Sequence, residues 1–181
     1  MKKLAVALLA SSGLWLAQLA PVSAAGNSPD IVTPVAPATC TQLTGTSGPC
    51  YIVMSVMSVR TASRVSPNGS DPCGSLHTTW KFNSLFYTYA TVYMNAGWCW
   101  DGSNASQNWG PQCYVQTGVG EGSDQNSCSW TSGNNQWQLS DSSNFDLWRW
   151  VTPWYKHYGW IHQFMRGNGT WNVTMCFDNN C

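Results

Sequence analysis

Three histidines stand in the chain, His77, His157 and His162, and the last two lie near Asp146, Arg149 and Lys156. A histidine pair beside a lysine is the constellation for general acid–base work on a phosphodiester. His162 alternates with Trp160 and Phe164, however, and that spacing fits a packing position on a strand better than a proton shuttle. Glycoside hydrolysis needs two carboxylates at a set separation. Asp101, Asp124, Asp141, Asp146, Asp178 and Glu121 are available, but all except Asp146 sit among Asn, Ser and Gly, where Asp is first a turn residue. No GxSxG elbow and no HExxH occur, and Gly118 to Gly122 lacks the lysine of a phosphate loop. Asp101 with Asn104, or Asp124 with Asn126, offers oxygens for calcium, but neither spacing matches a calcium loop, so turn chemistry is the reading. No catalytic residue, metal ligand or cofactor is therefore expected.

Aromatic side chains are the stronger signal. The chain holds 12 tryptophans, of which only Trp15 lies in the N-terminal apolar stretch. Trp148-Arg149-Trp150 alternates two indoles on one strand, and Trp154 and Tyr155 follow Pro153. Flat rings cover the C–H face of a sugar, and planar polar groups bond its hydroxyls. The expected binding set is Trp148, Trp150, Trp154 and Tyr155, with Asp146, Arg149 and Lys156 as polar neighbours. Trp98, Trp160 and Trp171 stand beside apolar neighbours and are assigned to the core. The resulting expectation is a non-catalytic module for an extracellular polysaccharide or surface protein. Two alternatives are a self-assembling surface protein and a small hydrolase using His157 or His162.

Compartment follows from the N-terminus and the cysteines. Met1-Lys2-Lys3, an apolar run from Leu4 to Ala20 and the exit Pro21 to Ala25 read as a secretory signal peptide over 1–24. Its removal leaves 157 residues with six basic and eight acidic side chains. That balance lacks the basic footprint of a nucleic-acid binder, and no later stretch is long and apolar enough to span a membrane. Cys40, Cys50, Cys73, Cys99, Cys113, Cys128, Cys176 and Cys181 form an even set without a CxxC pair. In a secreted chain this reads as four disulfides rather than a metal site. A local clip, Cys40–Cys50, and a hairpin bridge, Cys99–Cys113, are the expected pairings.

These residues need a scaffold, and the pattern is β. Residues 25–39 carry prolines among small polar residues and read as a flexible linker before one disulfide-rich domain over 40–181. Tyr51 to Arg60 is β-branched, and His77 to Lys81 suits a short strand. Arg64 to Ser75 and Gly118 to Asn135 read as loops. From Phe86 to Met94, alternation sets Phe86, Thr88, Ala90, Val92 and Met94 toward the core and Tyr87, Tyr89, Thr91 and Tyr93 away from it. Phe145 to Val151 is a strand, and Pro111 confines the start of another, Trp109 to Val119, to an edge or a bulge. Gly167-Asn168-Gly169 joins two arms of a hairpin whose second arm turns Trp171, Val173, Met175 and Phe177 inward. Glu occurs once and no stretch sustains helical spacing, so the expected fold is all-β: an antiparallel β-sandwich, jelly-roll or immunoglobulin-like, stapled by disulfides.

Gly97-Trp98-Cys99-Trp100-Asp101-Gly102-Ser103 resembles the Trp-turn pattern of small secreted Trp- and Cys-rich proteins of actinobacteria. Gly159-Trp160-Ile161 through Gly169-Thr170-Trp171 resembles their closing hairpin. The likeness covers Tyr89 to Val173. It implies an extracellular all-β domain and supplies no activity and no catalytic residues.

Overall fold

Alternation and bulk decide the strands. The computed structural model describes residues 26–66, 69–150, 155–178 and 181; the expected leader lies outside the described residues. The elements are β1 (Gly26–Asn27), β2 (Ile31–Pro34), α1 (Pro37–Thr44), β3 (Cys50–Ser66), β4 (Gly69–Ser84), β5 (Thr88–Trp100), β6 (Ala105–Thr117), β7 (Glu121–Trp130), β8 (Gln138–Arg149), β9 (Lys156–Arg166) and β10 (Trp171–Phe177). Sheet A runs β3-β4-β5-β6, with β1 and β2 both paired to the outer edge of β3; sheet B runs β7-β8-β9-β10. Every pairing is antiparallel.

The all-β class and the disulfide stapling stand as expected. The connectivity is simpler than an immunoglobulin-like or jelly-roll order. From β3 to β6 and again from β7 to β10, each strand pairs with its sequence neighbour, giving two meanders rather than Greek keys.

Both sheets turn one face inward. Sheet A contributes Ile52, Met54, Val56, Leu76, Trp80, Phe82, Val92 and Met94, and sheet B adds Leu139, Phe145, Ile161, Met165 and Phe177, all in one cluster. Trp80 is its centre: fully buried, with ring centroids of Phe145 at 5.1 Å and Phe177 at 5.2 Å across the interface. On β5, Ala90, Val92 and Met94 face inward as alternation requires. Phe86 does not; it lies in the β4–β5 turn, 96 % exposed, before the strand begins.

Several segments are more ordered than their composition implied. In the 25–39 linker, β1 and β2 pair with β3, and Pro37 opens α1 instead of prolonging an extended chain. Proline at the first helical turn has no amide to lose, and Gly45 closes the helix in the left-handed region at φ 70°. Within the 64–75 loop, residues 64–66 and 69–75 are strand: β3 and β4 continue past an irregularity between Thr61 and Arg64, pairing as far as Ser66 and Gly69. That arm reaches across the sheet, where Arg64 donates to Ser106 Oγ of β6 at 2.6 Å. The 118–135 loop is mostly β7, an edge strand with polar residues on both faces.

The disulfides are Cys40–Cys50, Cys73–Cys99, Cys113–Cys128 and Cys176–Cys181. Cys40–Cys50 ties α1 to β3 as expected. The Cys99–Cys113 bridge is overturned by register. Cys99 faces Cys73 directly across β4–β5, while on β6 it faces Ser106, and Cys113 faces Met94. Cys113 is left to join Cys128, the covalent link between the two sheets.

Candidate ligand-binding face

The outer face of sheet B is organised by β9. Its inward set, His157, Gly159, Ile161, Gln163 and Met165, is buried. Gly159 fixes this choice: a β-carbon there would collide with the Phe145 ring and press on Phe177. Once Gly159 faces the core, Tyr158, Trp160, His162 and Phe164 must face outward. This corrects the assignment of Trp160 to the core.

Four rings thus follow one another about 6.8 Å apart along the strand. Trp160 stacks on His162, with centroids 4.4 Å apart and planes 29° apart, and His162 meets Phe164 edge-on at 6.3 Å. Tyr158 is 48 % exposed and donates its hydroxyl to Asn144 Oδ1 at 2.7 Å. Short polar side chains flank the row. Asn144, Ser142 and Ser140 on β8 stand opposite Trp160, His162 and Phe164, and Thr174 and Asn172 on β10 stand opposite His162 and Phe164. Partial burial lowers the His162 pKa, so its ring is neutral at neutral pH and the row carries no charge.

Four of the residues expected to bind, Asp146, Trp148, Trp150 and Lys156, lie at one end of this face. Lys156 Nζ reaches Asp124 at 3.4 Å and Asp146 at 3.5 Å and sits 5.0 Å from the Trp148 ring centroid. Trp148 is buried under this cover, whereas Trp150 is 56 % exposed. The two indoles meet edge to face, 5.8 Å apart with planes at 74°, so they do not make one flat platform. Trp150 Nε1 donates to the Glu121 carbonyl at 3.1 Å, and Tyr155 is exposed. Arg149 alternates to the other side of β8 and abuts Gly45 at the end of α1. Trp154 lies outside the described residues. The structure therefore brings Trp148, Trp150, Asp146 and Lys156 together, adds Asp124, and separates Arg149 from them.

The remaining polar groups have local partners. His157 is buried and bonds Asp178 through Nδ1; the same carboxylate accepts from the Tyr158 backbone N–H at 3.1 Å and from Thr39 Oγ1 at 3.4 Å. This clamp ties α1 and the start of β9 to the end of β10. Asp101 Oδ1 accepts from the backbone N–H groups of Ser103 and Asn104, which lowers its pKa and makes it a turn residue. On the outer face of sheet A, Ser75 Oγ lies 2.8 Å from His77 Nε2, and His77 Nδ1 lies 3.0 Å from Asn95 Oδ1. The order is that of an activated serine. Ser75 is only 3 % exposed and lies on an interior strand whose backbone N–H groups face β3 and β5, so the chain orients the His77 ring rather than presenting a nucleophile. Among the described residues, no three His, Cys, Asp or Glu converge on a point that would hold a metal ion, and no helix is long and apolar enough to cross a membrane.

Sequence reasoning missed the row on β9 because His162 between Trp160 and Phe164 looked like packing. The available signal was Tyr158-x-Trp160-x-His162-x-Phe164 alternating against Gly159, a residue that fits under large rings and buries nothing itself. No protein-family model, curated protein or solved structure matches this chain, so the face is interpreted from its own chemistry.

Proposed function

We propose that the protein is a secreted, non-catalytic module that binds an extracellular polysaccharide on the outer face of sheet B. The carrying observation is the row of uncharged rings Tyr158, Trp160, His162 and Phe164, flanked by amide and hydroxyl side chains, with the Asp146 carboxylate opposite Tyr158 at one end. Ring surfaces of this kind take the apolar side of a pyranose, and Asn144, Asn172, Ser142 and Thr174 supply donors and acceptors for its hydroxyls. A neutral glycan meets no repulsion from a chain with so little charge. The basic N-terminus, the apolar run and four disulfides fit an oxidising, extracellular setting.

The test is a titration of the oxidised protein with soluble cellulose, xylan and chitin derivatives, followed by Trp fluorescence and affinity electrophoresis. Trp160→Ala is expected to weaken binding by more than ~10-fold, as a central aromatic anchor does. Phe86→Ala, in the β4–β5 turn, should leave it unchanged. Wild-type protein that responds to none of these glycans, or equal binding by Trp160→Ala, refutes the reading.

A further inference from the structure

Sheet A carries a second ring cluster on the face turned away from the core, and it repeats the chemistry of the β9 row. Tyr93 on β5 and Tyr114 on β6 are direct register partners and stack, with centroids 4.3 Å apart and planes 17° apart. Tyr114 is 51 % exposed on the edge strand. Further along the same face, Trp109 fills the space over Gly97 that any β-carbon there would occupy. His77 stands 6.4 Å from Trp109, and its ring is held from both sides by Ser75 and Asn95. Between the tyrosines and Trp109 lie Asn95 and Gln112, themselves register partners, and beyond the tyrosines lie Thr91 and Gln116. Lys81, opposite Thr91, is the charged side chain bordering this set.

We infer that the molecule has two glycan-binding faces, one on each sheet, and cross-links polysaccharide chains. The inference rests on the reading of sheet B above and adds a second site with a consequence of its own. The two sheets share one core, so their outer faces point in opposite directions across the thickness of the sandwich. A short oligosaccharide on one face cannot touch the other. Two separate chains can be held at once, and a long polymer gains avidity from bivalent attachment. Held rings and short amides without a competing charge on Tyr93, Tyr114 or Trp109 favour the same neutral ligand class on both faces.

Isothermal titration with cellohexaose, xylohexaose and chitohexaose reads the number of sites. The expected result is two equivalents of one of these sugars for wild type, and one equivalent each for Trp160→Ala and Tyr114→Ala. A double variant should bind none. Tyr114 is an exposed edge residue, and an unchanged far-ultraviolet spectrum and melting temperature verify that its variant folds. One equivalent in wild type, lost in Trp160→Ala and kept in Tyr114→Ala, overturns the second face and leaves the sheet B reading standing. One equivalent lost only in Tyr114→Ala overturns both, as does the absence of binding in wild type. Light scattering gives the independent readout: wild type should cluster the matching long polysaccharide, and either single variant should bind without clustering it.

Discussion

Sheet A and sheet B bring unlike inner faces to the same interior. Sheet A lines it with Ile52, Met54, Val56, Leu76, Trp80, Phe82, Val92 and Met94, with Thr78 as a polar exception. Sheet B sets Asp141, Ser143, His157 and Gln163 among Phe145, Ile161 and Met165. The apolar sheet provides area to remove from water, which drives folding without regard to direction. The mixed sheet provides groups that must find partners or lose protonation-dependent freedom, which costs free energy and restricts geometry. The difference implies that stability is concentrated on the sheet A side and sensitivity to conditions on the sheet B side.

The sharpest way to break that contrast is at Trp80. Its removal opens the interface between the sheets, and Trp80→Ala should cost about 3–5 kcal/mol in denaturant unfolding. A loss under ~1 kcal/mol would show that sheet A does not dominate the core. Next comes the covalent link. Replacing Cys113 and Cys128 together by Ala frees a loop with a sequence separation of 15. The expected loss is ~3 kcal/mol. Hydrogen exchange should accelerate more in β8 and β9 than in β4 and β5, and uniform acceleration would contradict the asymmetry.

The smallest effect, taken per pH unit, is a slope from Asp141. This carboxyl is fully buried on β8, and neither oxygen has a hydrogen-bond partner. Burial pushes its pKa up to about 8, and the nearby backbone of Gln163 and of Asp141 itself offsets this only in part. The folded state therefore keeps a proton that the unfolded chain, with an ordinary value of 3.8, has released. Stability from this group is fully present below the unfolded value and is lost as pH rises through the folded one. Within that window the slope is at most ~1.4 kcal/mol per pH unit. Thermal melts between pH 5 and pH 8 should show this decline, and Asp141→Asn should flatten it. An identical slope in the variant would assign it elsewhere.

Legibility in the sequence followed the same division. Strands of sheet A announce themselves by alternation, as in Ile52-x-Met54-x-Val56 and Ala90-x-Val92-x-Met94. So does the closing hairpin, whose turn at Gly167 to Gly169 and whose inward Val173 and Phe177 are where alternation puts them. Strand β7 reads as loop because Ser, Asp, Asn and Gln hold both faces, and the first half of β8 offers no apolar alternation; both are strands through pairing, β7 with β8 and β8 with β9, which a local pattern does not show. The candidate face failed in another way. Its rings were visible, but which side of β9 they occupied depended on Phe145 and Phe177 needing Gly159. The Cys73–Cys99 bridge was likewise a matter of register between β4 and β5, not of sequence distance.

Gln163 has a further consequence. It is fully buried on β9, and its Nε2 donates across the interior to Thr78 Oγ1 at 2.8 Å and to the Met94 carbonyl at 3.1 Å. Two greased plates can slide over one another through many offsets of nearly equal energy. An amide that reaches one hydroxyl and one carbonyl on the opposite plate acts as a detent, since displacement by a single residue leaves both of its protons unanswered. Gln163 thus indexes the two meanders against each other, and with them the spacing and relative heading of the two outer faces.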